Sequence, residues 1–146
     1  MAFKKKIKSN QIINGTFGKL WVQGEKVSNV KSFESKVSLE YEDVNLSEEL
    51  GVQQKYVGYA VEGTIVLHQV DSEFIKLYNE GIVTGNLPEV TIVAAVDDPA
   101  SLGAERIQFL DVTLDEIPLT TYETKTNGEV EVPFKAGKFI PLDLIA

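Results

Sequence analysis

Between residues 31 and 44 the chain alternates without a break. Phe33, Ser35, Val37, Leu39 and Tyr41 hold the odd positions, and Ser32, Glu34, Lys36, Ser38, Glu40 and Glu42 hold the even ones. A period of two is that of a β-strand with one apolar and one wet face. A second ribbon over 55–70 follows a short acidic connection. At the usual rise per residue each ribbon would be roughly 46–53 Å long if straight. A compact domain of this length is only about 38 Å across. The pair must therefore coil, bulge or project, and a projecting hairpin is barely stable alone. A neighbouring copy is the expected cover.

Turn residues over 14–18 lead into a short strand over 20–22, which Gln23-Gly24 joins to 26–30 as a small hairpin. Residues 45–51 admit two readings, one helical turn capped by Ser47 and stopped by Gly51, or an ordered loop. Gly58 and Gly63 inside the second ribbon predict bulges or close backbone approach. One helix is predicted over 71–80. Asp71 or Ser72 caps it, Glu73 suits its positive end, Phe74, Ile75, Leu77 and Tyr78 form its apolar side, and Gly81 stops it.

Strands follow over 89–96 and 104–114. In the second, the apolar phase moves from Ile107 and Phe109 to Val112 and Leu114, which predicts a bulge at Leu110-Asp111. Asn127-Gly128 predicts a hairpin between 122–126 and 129–134. A last strand over 139–145 carries Pro141, which suits an edge or tail. The expected fold is mainly β: a β-sandwich or flattened barrel of two packed antiparallel sheets with one flanking α-helix. A single domain over 15–146, with an extended hairpin around 31–70, is preceded by an arm over 1–14.

Charge sharpens that division. Lys4, Lys5, Lys6 and Lys8 put four positive charges in the first eight residues, so the net −8 of the chain becomes −12 over the remainder. An acidic body repels phosphate backbones and argues against tight DNA binding. The basic head reads as an arm that is mobile or docks on a neighbour. No apolar run is long enough for a membrane span. The basic start lacks the apolar stretch of an export signal, so synthesis in the cytoplasm without a signal peptide is expected. The absence of cysteine excludes disulfides and thiolate chemistry.

Candidate chemistry is sparse. His68 is the sole histidine and lies in a strand pattern beside Val66 and Val70, a structural or surface position. No partner exists to complete a zinc set, and no nucleophile elbow accompanies a Ser-His-Asp possibility. The acidic groups Glu40, Glu42, Asp43, Glu48 and Glu49, and the pairs Asp97-Asp98 and Asp115-Glu116, allow a glycosidase dyad or a calcium site in principle. Their setting reads instead as a solvated face and as turns. Gly58-x-x-x-x-Gly63-Thr64 lacks the lysine of a phosphate loop. No enzyme and no cofactor is expected.

Several short motifs, in order, carry a resemblance. Asn14-Gly15-Thr16-Phe17-Gly18, then Trp21, Gly24 and Val27, resemble the opening of the tail tube proteins of contractile phages and phage-like particles, nearest the PBSX-like prophage group. Val30-Lys31-Ser32-Phe33, Glu42-Asp43-Val44-Asn45, Gly103-Ala104-Glu105-Arg106 and Asn127-Gly128-Glu129-Val130-Glu131-x-Pro133-Phe134 extend it over nearly the whole chain. The stretch 47–56 departs from that pattern.

The resemblance implies a structural subunit of a virion or particle tail, with homohexameric rings stacked into a hollow tube. DNA or, in bacteriocin-like particles, ions would pass through it without tight binding. It also implies a surrounding sheath protein, a tape measure protein inside, and baseplate initiators of the tube. On this reading Glu34, Lys36, Glu40 and Glu42 face the lumen or an adjacent subunit. The arm, with Lys4, Lys5 and Lys6, and the hairpin tip, with Asn45, Leu46, Glu48, Glu49 and Leu50, bridge rings. The alternatives are the tube of a type VI-like secretion system and a β-sandwich ligand-binding module, for instance for carbohydrate, with Trp21, Tyr56 and Tyr59 as its aromatic platform.

Overall fold

The computed structural model describes residues 3 and 6–145. Two 3₁₀ turns, Ser9–Gln11 and Gly15–Phe17, lead into strands β1 (Gly18–Val22), β2 (Glu25–Val27), β3 (Val30–Val44) and β4 (Gln53–His68). Helix α1 (Glu73–Thr84) and strands β5 (Val90–Val96), β6 (Glu105–Leu114) and β7 (Glu129–Asp143) complete the chain. All seven strands form one antiparallel sheet, in the order β2-β1-β5-β6-β7-β4-β3.

The expected pair of packed sheets is thus replaced by one continuous sheet, open at both edges. Strand β7 explains the difference. Its 15 residues pair with β4 along the first half and with β6 beyond it, which joins the two groups of strands. The sheet curls instead of lying flat. Phe33 on β3 has its ring centroid 5.9 Å from that of Phe109 on β6. Two strands separate them in the order, a span of about 14 Å in a flat sheet. The curl encloses a core of Leu20, Ile65, Ile92, Phe109, Val132 and Phe134, each at most 3% exposed. Only residues 28 and 29 connect β2 to β3, so the two outer strands leave the same corner without pairing.

Helix α1 closes one side through Phe74 and Tyr78. The N–H of Leu114 donates to Tyr78 Oη at 3.4 Å. At its start Asp71 Oδ1 accepts from the N–H of Glu73, so Asp71 and not Ser72 supplies the cap. The helix runs through Gly81 and stops at Gly85, whose φ of +83° is the left-handed stop glycine permits. Gly81 serves another purpose: a Cβ there would sit 2.8 Å from the carbonyl oxygen of Asn86.

The small hairpin forms as expected. Gln23 and Gly24 have φ of +54° and +80°, the two positive values of a turn matched to strand twist. The β6 bulge also forms, with Asp111 at φ +53° facing Gly137. The register of β3 on β4 slips between Glu40 and Tyr41 and leaves Val57 as the extra residue beside Gly58. Residues 45–52 form a loop, with no helical turn.

Two expectations are corrected. No hairpin forms on Asn127-Gly128: residues 122–126 form no strand, and β7 pairs from Glu129 onward with β4. Gly128 instead accepts, through its carbonyl, the N–H of Gln69 at 2.8 Å. The strand expected over 139–145 is the second half of β7. Beyond Ala136 that strand has only β6 beside it, and Pro141 lies on this edge.

Candidate assembly surfaces

Strand β4 pairs with β7 only from Val61 to His68, so residues 53–60 have β3 as their sole neighbour. The distal part of the β3–β4 hairpin therefore leaves the sheet as a two-stranded ribbon. Its register places Val37, Leu39 and Tyr41 on one face with Val61, Tyr59 and Tyr56. At the base that face is covered: Phe33 stacks on Phe134 at 5.8 Å, and Val61 is buried. Farther out the cover ends. Leu39 is 53% exposed, Tyr41 51%, Tyr56 50% and Tyr59 43%. Tyr41 meets Tyr56 edge-on at 6.1 Å, and Tyr59 meets Phe139 of β7 at 6.0 Å, so the aromatic surface is continuous across the fork. The alternation thus marks an apolar face correctly, but the chain buries only the part nearest Phe33. An apolar patch of this kind, on a ribbon that is marginal by itself, makes the outer hairpin a candidate interaction surface.

The opposite face brings together the residues expected at a lumen or adjacent subunit. Glu34, Lys36, Glu40 and Glu42 are all exposed and share it with Glu62, Ala60, Gly58 and Lys55. Lys36 Nζ lies 3.4 Å from Glu62 Oε1. A Cβ at Gly58 would be 3.4 Å from Glu40 Oε2, so the Glu40 side chain lies over that glycine. At the tip, Asn45, Leu46, Glu48, Glu49 and Leu50 are exposed on the connecting loop, where Glu48 turns the chain at φ +68°. On the arm Lys6 is exposed, while Lys4 and Lys5 lie outside the described residues.

Asp98, read from sequence as part of a turn, is also a latch. It is 7% exposed, and its two carboxylate oxygens accept the N–H groups of Asn14 and Ala100, each at 2.9 Å. The first bond ties the end of the arm to the β5–β6 connection. The Asp-Asp-Pro pattern identified the turn but not a partner 84 positions away. Asp98→Ala would leave the Asn14 amide without its acceptor, at a cost of about 1–3 kcal/mol. Urea unfolding should report that loss, and hydrogen exchange should quicken over 14–17. Unchanged exchange there would reject the latch.

Other candidate chemistry does not converge. The backbone carbonyl of His68 accepts from Asn29 Nδ2 at 2.7 Å and its N–H donates to the Asn29 carbonyl at 2.8 Å, a strand-end clasp. Lys31 pairs with Glu129, and its hydrogen bond holds the Glu129 carboxyl below the ordinary range. That contribution is present above the unfolded carboxylate pKa and fades as pH falls through the lowered one. Its solvent exposure keeps it small. Among the described residues no three His, Cys, Asp or Glu side chains come together to hold a metal. Trp21 lies on the face opposite buried Leu20, under the guanidinium of Arg106 at 5.9 Å. Tyr59 shares a face with buried Val61, so Trp21 and the tyrosines do not form one platform. No helix among the described residues is long and apolar enough to cross a membrane.

Comparison with known proteins gives the family. The model of a family described as phage tail tube protein matches residues 5–143. The phage-like element PBSX protein XkdM of Bacillus subtilis (strain 168) is 30% identical over 135 residues, covering 91% of this chain and 92% of that protein. The fold is similar to a chain of the PVC sheath–tube complex, an extracellular contractile injection system in its extended state. There the TM-score is 0.73 at 11% identity, over 95% of this chain and all of that one. It is also similar, with a TM-score of 0.54 at 11% identity, to Hcp1 from Flavobacterium johnsoniae, over 86% of this chain and 94% of that one. The open curled sheet with its projecting hairpin is therefore a tube-protein fold, and the chain belongs to the phage tail tube protein family.

Proposed function

We propose that six copies of this chain close into a ring and that rings stack into the hollow tube of a contractile tail or tail-like particle. The observation that carries this reading is the uncovered apolar face at Leu39, Tyr41, Tyr56 and Tyr59. Sister subunits cover it and continue the sheet past its open edges, which removes the liability of an exposed β3. The carboxylates Glu34, Glu40 and Glu42, with Lys36, then face the lumen or an adjacent subunit. Net negative charge there repels phosphate and lets DNA pass without adhering. The arm and the tip bridge successive rings. Sheath protein outside, tape measure protein within during assembly, and baseplate initiators at the end are the partners of such a tube.

Negative-stain microscopy of the concentrated protein is expected to show annuli and hollow rods with six-fold end views. Protein that stays monomeric under crowding and nucleating conditions, or rings of another number, would overturn the corresponding part of the proposal. The lumen assignment has its own test. Tubes of the Glu40→Lys/Glu42→Lys double variant should retain short double-stranded DNA at low salt and release it as salt rises, because each phosphate contact adds to the salt slope. Tubes that assemble and bind no more DNA than the unsubstituted ones reject a lumenal position for these carboxylates.

A further inference from the structure

We infer that the arm of one copy seats in the groove between the β1–β2 turn and the start of α1 on the next copy along the stack. The inference rests on the assembly reading above and supplies the receptor for its bridging arm. The groove encloses about 490 Å³, within the range of roughly 300–1,000 Å³ usual for concave binding sites. Val22 and Val27 of the small hairpin, Leu67 and Val70 at and beyond the end of β4, and Phe74 and Leu77 of α1 make it apolar. Its charged lining is Glu25, Asp71 and Glu73 against Lys26 alone. Lys76 engages Glu73 at 3.1 Å, whereas among the described residues no ion pair engages Glu25 or Asp71.

The arm has the complementary chemistry. Four lysines lie in its first eight residues, and no acidic residue precedes Glu25. Phe3, Ile7 and Ile12 are spaced along it, each more than three-fifths exposed, so these three side chains do not fill the groove of their own subunit. Position supplies the direction. The arm leaves beside Asn14 and Asp98, at the Gly18 end of β1, which pairs with Val96. The groove opens at the other end of β1, where Val22 enters the Gln23-Gly24 turn. A segment leaving one end of a strand and a receptor at the opposite end make a head-to-tail contact, the kind that propagates along a filament.

The chain has no cysteine, so thiol cross-linking can be placed at will. Ile7→Cys and Val70→Cys, at positions 65% and 76% exposed, are made in separate chains, mixed, assembled and treated with a mild oxidant. Up to about half of the protein in tubes, the ceiling for an equal random mixture, is expected to move to a disulfide-linked dimer on a non-reducing gel, and Ile7→Cys mixed with Leu87→Cys is expected to give little. Assembled tubes with no Ile7→Cys to Val70→Cys bridge overturn the docking while leaving the tube intact. Failure of the unsubstituted chain to make tubes overturns the assembly reading and this inference together.

Discussion

Gly63→Val is expected to destabilise the fold by about 3 kcal/mol or more, the upper end of what overpacking a core costs. A Cβ at Gly63 would lie 2.3 Å from the carbonyl oxygen of Glu34 and 2.6 Å from Cζ of Phe134. Neither neighbour has room to yield. The first is backbone in the β3–β4 ladder, where Ser35 pairs with Gly63. The second is a ring 1% exposed, held at 5.8 Å by both Phe33 and Phe109. Relief requires either the ladder to part or three aromatic rings to repack. The same three rings connect β3, β6 and β7, so the disturbance reaches the curl of the whole sheet. For a domain of this size the melting temperature should fall by about 9–12 °C, at roughly 3–4 °C per kcal/mol. Thermal unfolding followed by circular dichroism measures it. A drop of less than about 3 °C would mean that the approach is looser than these contacts.

Leu39→Glu should do the reverse, leaving the fold and removing the assembly. Leu39 is half exposed in the single chain, opposite Tyr59 across the ladder. Surface substitutions of that kind stay within about 0.5 kcal/mol of the parent in unfolding. In a tube the same side chain would bring a carboxylate into an apolar interface with no cation at hand. A penalty of about 2 kcal/mol per contact is roughly thirty-fold in association constant, and each subunit of a ring repeats it. Sedimentation velocity should therefore find monomer at concentrations where the parent forms rods, with an unchanged unfolding midpoint. Rods of normal length from this variant would remove the apolar face from the interface.

Reading the chain in advance succeeded where the signal was local. The two-residue period over 31–44 marks a strand and names its faces, since every odd side chain lies on the same side of the ribbon. Gln23-Gly24 is a turn because both residues accept positive φ. The phase change between Phe109 and Val112 locates the bulge at Asp111. Asn127-Gly128 carried an equally strong local signal and did not become a hairpin; the start of β7 pairs instead with β4, a strand far earlier in the sequence. Gly81 was the expected helix stop, yet the helix runs on to Gly85. Gly81 is needed instead where residues 86 and 87 return against the helix, a contact the helix itself does not encode.

The site was legible to a similar degree. Glu34, Lys36, Glu40 and Glu42 fall on one face because alternation requires it. Three things were not legible: how far along the ribbon the core reaches, the Asp98 latch on the arm, and the groove between the small hairpin and α1. Each depends on contacts between residues tens of positions apart.

Residue order alone thus determined the ribbons, their two chemistries, the basic arm and the absence of thiols, since these depend on neighbours one to four positions away. Tertiary structure decided that the strands join into one open sheet and that the apolar face emerges from cover between Phe33 and Leu39. Burial is a property of the packed surface, and a leucine in a strand is written the same way whether its own core or another molecule covers it.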